Sequence, residues 1–149
     1  MITVRVQTDD FDLGRELDQL RAGRTDMGAL VSFTGIVRAN PKAPLDEMVL
    51  EHYPGMTEKA LTGIARNAAE RWSLAASLII HRVGPLLPGA QIMMVAAGSA
   101  HRQAAFEAAD FMMDFLKSRA PFWKKEINGE SAEWVDARDT DEAALRRWS

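Results

Sequence analysis

Two short apolar runs, Ser77 to Val83 and Gln91 to Ala97, flank the segment Gly84-Pro85-Leu86-Leu87-Pro88-Gly89. Runs of this length bounded by Gly and Pro read as buried strands, and two strands split by such a loop usually pair antiparallel. The chain can supply a core around them. It has 149 residues, 47% of them hydrophobic and 26% charged, and a domain of this size buries roughly 70% of the surface its unfolded chain exposes.

Periodicity organises the rest. Ile2, Val4 and Val6 alternate with polar residues and predict a first strand. Asp10 or Asp12 caps a short helix carrying Leu13, Leu17 and Leu20, ended near Gly23. Residues 27 to 38, MGALVSFTGIVR, read as a long strand whose glycines indicate a bulge or a close backbone approach. Ala39 to Asp46 form an exposed loop. Met48 to Tyr53 form another strand, and Pro54-Gly55 opens a helix with Met56, Ala60, Ile64, Ala68 and Trp72 at helical spacing. A third helix is predicted from about Ala100 to Arg119, with Phe106, Ala109, Met113 and Leu116 on one face, and Pro121 stops it. Phe122 to Ile127 and Ala132 to Ala137 form a hairpin around Asn128-Gly129. The order β α β β α β β α β β, with adjacent strand pairs, indicates one α+β domain spanning residues 1–149.

Composition excludes several chemistries. The chain has no cysteine, which removes thiol nucleophiles, persulfide carriers, disulfides, iron-sulfur clusters and Cys-type zinc sites. Sulfur or redox chemistry would have to be brought by another molecule. The formal charge of −3 speaks against a general nucleic-acid binder, including a small RNA-binding α+β domain built on the basic stretch from 117 to 125. No stretch resembles a signal peptide or a membrane span, so a cytoplasmic protein is expected. His52, His81 and His101 are too scattered for a local metal motif. The four tryptophans, Trp72, Trp123, Trp134 and Trp148, read as core or interface anchors.

Two basic clusters stand out. If Ser99 is the N-cap of the third helix, the third helical position should favour Glu or Gln, yet it holds Arg102, with His101 beside it. Positive charge there opposes the helix dipole, and a bound anion would reverse that penalty. The ordinary structural reading is a solvated Arg and a surface His. The second cluster is Lys117-Ser118-Arg119-Ala120-Pro121-Phe122-Trp123-Lys124-Lys125. Pro121 reverses the chain between a helical Lys117 and a strand-borne Lys124, so two amines could face one pocket. In that strand Phe122, Lys124 and Glu126 share a face, opposite Trp123, Lys125 and Ile127. Neighbouring cations lower an amine's pKa towards neutrality, although cations at a helix C-terminus are also simply stabilising. Arg38 ends a strand before a loop, a usual place for a substrate contact.

The segments GALVSFTGIVR (28 to 38), LEHYPGMTEKAL (50 to 61), HRVGPLLPG (81 to 89), SAHR (99 to 102), AFEAADFMMDFLKSRAPFWKKE (105 to 126) and WVDAR (134 to 138) together resemble the large subunit of molybdopterin synthase, the MoaE family. The resemblance implies an α/β-hammerhead type of α+β fold, mainly antiparallel, assembled as a homodimer. It further implies a small ubiquitin-like sulfur-carrier subunit docked at each end, giving a heterotetramer. By the same resemblance, the carrier's C-terminal Gly-Gly thiocarboxylate delivers sulfur to cyclic pyranopterin monophosphate, forming the dithiolene of molybdopterin, with no cofactor and no metal. Carried over residue by residue, Lys117 and Lys124 are the catalytic amines, with Lys117 essential. Arg38, His101 and Arg102 bind substrate, the latter two across a dimer interface, and Phe33 and Met113 form pocket walls. The resemblance assigns no role to Ile36, to the 39–46 loop or to the C-terminal Arg146-Arg147-Trp148-Ser149. A different reading of the same residues is a binding module that holds an anion or a peptide tail without chemistry.

Overall fold

The computed structural model describes residues 1–39, 47–128, 131–135 and 139–149. In chain order the elements begin with β1 (Ile2–Gln7), α1 (Leu13–Arg21), β2 (Ala29–Ile36), β3 (Glu47–His52), α2 (Met56–Trp72) and β4 (Ala76–Arg82). They continue with β5 (Gly84–Leu86), β6 (Gln91–Ser99), α3 (Arg102–Arg119), β7 (Phe122–Asn128), β8 (Ser131–Val135), α4 (Asp139–Ala144) and a 3-10 turn, Leu145–Trp148. The α+β class stands, with a fourth helix and the 3-10 turn beyond the three helices read from periodicity. The predicted loop at 39–46 lies, from Asn40 onward, outside the described residues, as does Gly129 of the predicted hairpin turn.

The strands form two four-stranded sheets, ordered β1-β4-β6-β2 and β5-β3-β7-β8. The two apolar runs pair antiparallel as β4 and β6 at the centre of the first sheet. Among the described strands, only β1 against β4 is parallel. Side chains alternate along a strand, so each central strand supplies two cores. Ile79, Met93, Val95 and Ala97 meet Leu61, Ile64, Ala65 and Ala68 of α2 and Ala108, Phe111, Met112 and Leu116 of α3. Leu78, Ile80, Met94 and Ala96 point the other way, onto Phe11 and Leu20 beside and on α1. Burial on both faces explains why these strands read as continuous apolar runs rather than alternating ones. A third, smaller cluster of Val37, Met48, Leu50 and Leu86 joins the second sheet to the end of the first.

Local chemistry sets the ends of these elements. Asp12 caps α1, accepting from the Arg15 N–H at 3.1 Å. At the start of α2, the Glu58 carboxylate accepts from the Gly55 N–H at 2.8 Å, and Gly55 sits at φ 84, a conformation suited to glycine. The start of α3 differs from expectation. Ser99 ends β6, and His101 is the N-cap, with extended backbone and no side-chain cap bond. The Gly84–Gly89 segment, read as a loop, also contributes β5, which pairs with β3 because Gly84 at φ 89 turns the chain onto its edge.

The glycines of the 27–38 segment show a bulge at one position and a close backbone approach at another. The register against β6 shifts between Gly35 and Ile36, a bulge. Gly28 packs its backbone on the turn before α3: its N–H donates to Ser99 O at 2.9 Å, and a Cβ there would stand 2.2 Å from the Ala100 carbonyl oxygen. Because the obstacle is backbone, relief requires moving β2 or the α3 entry. Gly28→Ala is therefore expected to cost about 1–3 kcal/mol of stability, the range for overpacking, measured as a drop in denaturant midpoint at unchanged m-value.

Candidate active site

Helix α3 lies across the first sheet beside the edge strand β2, and the two enclose a groove of about 430 Å³. Val31, Ser32 and Phe33 supply the strand wall; Phe106, Asp110, Met113, Asp114 and Lys117 line the helix wall, and Asp141 of α4 closes one end. The helical residues recur at intervals of three and four, which places them on one face of α3. Phe106, one of the apolar residues at helical spacing on α3, is 60% exposed, because that part of α3 overhangs the groove rather than the sheet.

The C-terminal segment braces the acidic wall. Arg147 donates to Asp110 at 2.8 Å and to Asp114, and the Trp148 indole N–H donates to Asp114 at 2.6 Å. Trp148 also packs edge-on against Trp72 and Phe111, with centroids 5.6 and 5.5 Å apart. Of the other tryptophans, Trp123 is largely exposed, and the Trp134 side chain lies outside the described residues.

Lys117 stands in the last turn of α3, and Ala120 takes the extended backbone that a following proline imposes. The Phe122 N–H closes a tight turn on Ala120 O at 2.9 Å, and Thr57 Oγ1 donates to Pro121 O at 3.0 Å. The chain thereby enters β7, where Phe122 lies opposite His52 and Lys124 opposite Leu50. Directly opposed residues share a face. Leu50 is buried in the third cluster, so Phe122 and Lys124 project to the inner side of the second sheet. Phe33, Met113 and Lys117 thus share one groove, and Lys124 lies around the proline corner from it.

Arg38 is exposed just beyond β2, next to the buried Val37 that packs with Leu50. Since α3 runs parallel to β2, Arg38 sits at the lysine end. His101 and Arg102 are exposed at the other end of α3. Fifteen to sixteen helical residues at 1.5 Å rise separate them from Lys117 by about 24 Å. Within one chain, then, the structure does not bring His101 and Arg102 to the amines.

Sequence spacing gave no reason to single out His81. Its side chain is buried on β4, its ring stacks on Phe122 with centroids 3.8 Å apart and planes 19° from parallel, and Nδ1 lies 2.8 Å from Arg82 O. A carbonyl only accepts, so Nδ1 carries the proton and Nε2 is the bare nitrogen. Burial pushes the imidazole pKa down to about 4, and the Lys117 ammonium and His52 add to that shift, while the Arg82 carbonyl opposes it. His52 in turn stands 3.7 Å from Glu58, whose Oε1 is buried without a hydrogen bond. The signal in the sequence was an imidazole directly after the apolar run Leu78-Ile79-Ile80 of a buried strand.

Comparison with known proteins places these features. The model of the MoaE protein family matches residues 6–119. The chain belongs to the MoaE family. The molybdopterin synthase catalytic subunit of Ralstonia nicotianae is 58% identical over 149 residues, covering 99% of this chain and 85% of that one. The molybdopterin biosynthesis MoaE protein from Burkholderia ambifaria has the same fold, with a TM-score of 0.86 at 54% identity over 99% of this chain and 98% of that one. A complex of subunits 1 and 2 of molybdopterin-converting factor from Helicobacter pylori shares the fold, with a TM-score of 0.76 at 19% identity over 91% of each chain. Among the described residues of this MoaE-family chain, no helix is long and apolar enough to cross a membrane.

The buried His81 predicts an acid-sensitive fold. Lys117 from α3 and His52 from β3 are the charged or titratable groups acting on it, and both disfavour its protonation. Above pH 6.5 the ring is neutral in folded and unfolded chains, so its burial is not penalised. As pH falls from 6.5 towards 4, the unfolded chain takes up the proton first, and stability falls by an amount on the order of 3 kcal/mol. Denaturant midpoints measured from pH 7 to pH 4 are expected to fall more steeply in the wild type than in His81→Phe.

Proposed function

We propose that this chain is the sulfur-transferring catalytic subunit of a molybdopterin synthase. Its partner is a small ubiquitin-like carrier whose C-terminal Gly-Gly thiocarboxylate enters the groove between β2 and α3. The acceptor is cyclic pyranopterin monophosphate, which gains the two sulfurs of the molybdopterin dithiolene. The observation that carries this reading is an amine, Lys117, at the end of an open groove walled by Phe33 and Met113, in a chain without cysteine. A groove of this kind suits an extended tail of side-chain-free residues. An ammonium at its end can hold the thiocarboxylate and stabilise negative charge that develops as sulfur leaves the carbonyl carbon. Lys124, on the inner face of β7 beyond the corner, assists, and Arg38 at the same end contacts substrate.

Lys117→Ala is expected to lower the rate of product formation by roughly a hundredfold or more, in the range of lost electrostatic or acid-base catalysis, while its unfolding midpoint stays near wild type. The assay mixes thiocarboxylated carrier with the cyclic precursor and measures dithiolene product. Normal turnover by the folded variant would remove the role given to Lys117. Saturable binding of carrier and precursor without product in the wild type would leave a binding module instead.

The distance of about 24 Å along α3 supports placing His101 and Arg102 in the pocket of a second copy, where a cationic helix start would hold the substrate phosphate. The edge strand β2, with Phe33 46% and Ile36 57% exposed, offers apolar surface for such pairing. Mixed dimers of Lys117→Ala and Arg102→Ala protomers are then expected to regain activity that neither variant has alone. Mixtures that stay inactive, despite proven subunit exchange, would place both groups in one protomer's site.

A further inference from the structure

We infer that His81 is a positioning residue for the two lysines: its flat, buried ring seats Phe122, and through it fixes how the Pro121 corner presents Lys117 and Lys124. The inference rests on the reading of these lysines as the catalytic amines.

Three further contacts act at the corner, beside the β3 ladder and the core on which Ala120 and Phe122 pack. The Phe122 N–H donates to Ala120 O, and Thr57, itself fully buried, donates from Oγ1 to Pro121 O. Thr57 Oγ1 also accepts from the Tyr53 N–H at 2.9 Å, so the α2 entry is tied to the same point. These two contacts act on the backbone of the turn, and from Phe122 onward β7 is held in the ladder with β3. The third contact, the near-parallel stack of His81 on Phe122, grips a side chain on the face that Lys124 shares.

His81 is suited to this task. Its Nδ1–H satisfies the neighbouring Arg82 carbonyl, and β4, which carries it, is an inner strand of the first sheet. Its pKa of about 4 keeps the ring uncharged at neutral pH, so a second cation is not placed beside Lys117. A leucine would fill the space but offers no flat surface, so Phe122 could tilt. A tilt at Phe122 alters the packing at the start of β7, two residues from Lys124 on the same face, and displacements near 1 Å in a catalytic constellation cost up to about a hundredfold in rate.

The test uses the chain assembled with its thiocarboxylated carrier and compares His81→Phe with His81→Leu. Turnover is read as kcat and KM for the carrier, and lysine side-chain NMR reads the Cε and Nζ shifts of Lys117 and Lys124. His81→Phe keeps the flat ring and is expected to keep kcat within about threefold and the lysine shifts of the wild type; His81→Leu is expected to lose kcat by roughly ten- to a hundredfold at similar KM, with moved lysine shifts. If His81→Leu does not fold, His81→Asn, which retains a donor for the Arg82 carbonyl without the aromatic plate, replaces it. Unchanged lysine shifts in the variant lacking a plate overturn the inference whatever the turnover, and so does a His81→Phe variant as impaired as His81→Leu. Normal turnover by Lys117→Ala would instead sink the catalytic reading and leave the lysine shifts to decide the positioning.

Discussion

Strands β4 and β6 have to be covered on both faces, and most of the architecture follows from meeting that demand. Helices α2 and α3 cover one side and α1 the other, with separate clusters of side chains drawn from alternate positions of the same two strands. Apolar burial at this scale outweighs the small propensity effects along the chain. Once α3 has to lie over β6 and reach towards β2, it runs beside an edge strand with no further strand outside it among the described residues. The groove is the space left between that edge strand and the helix.

The charges around that groove are segregated by the same geometry. The acidic wall of α3 is occupied from outside by Arg147 and Trp148, so the C-terminal residues, which had no assigned role in the sequence, act as a brace within the chain. The cations gather at the two ends of α3. Lys117 at its C-terminus is favoured by the helix dipole, whereas His101 and Arg102 at its N-terminus are opposed by it. Helix stability alone accounts for the first end, whereas at the second no acidic residue in the first turn and no side-chain cap offsets the cost.

Much of this was legible from residue patterns. The paired buried strands, the Asp12 cap, the α2 entry at Pro54-Gly55, the proline stop after Arg119 and the close approach at Gly28 all follow from rules that operate over a few residues. So does the sharing of a face by Phe122 and Lys124. The misses have a common cause. Phe106 has helical spacing appropriate to a core, but which part of the stripe overhangs the sheet depends on where α3 crosses it. Ser99 has the chemistry of an N-cap, yet the ladder with β2 extends to Ser99, and the cap passes to His101. His81 and His52 are 29 positions apart and come within electrostatic reach because β7, paired with β3, sets Phe122 on the His81 ring.

The amino-acid order by itself determined the class of fold, the positions of both basic clusters on their elements, and the lack of any thiol of its own, because each depends on local periodicity or on which side chains the chain contains. Tertiary structure decided which of these residues share a space. It put Phe33, Met113 and Lys117 in one groove, set His101 and Arg102 a helix length away, and placed an uncharged imidazole behind the proline corner. Such relations depend on how one packed layer is rotated against another, and no short-range pattern encodes that angle.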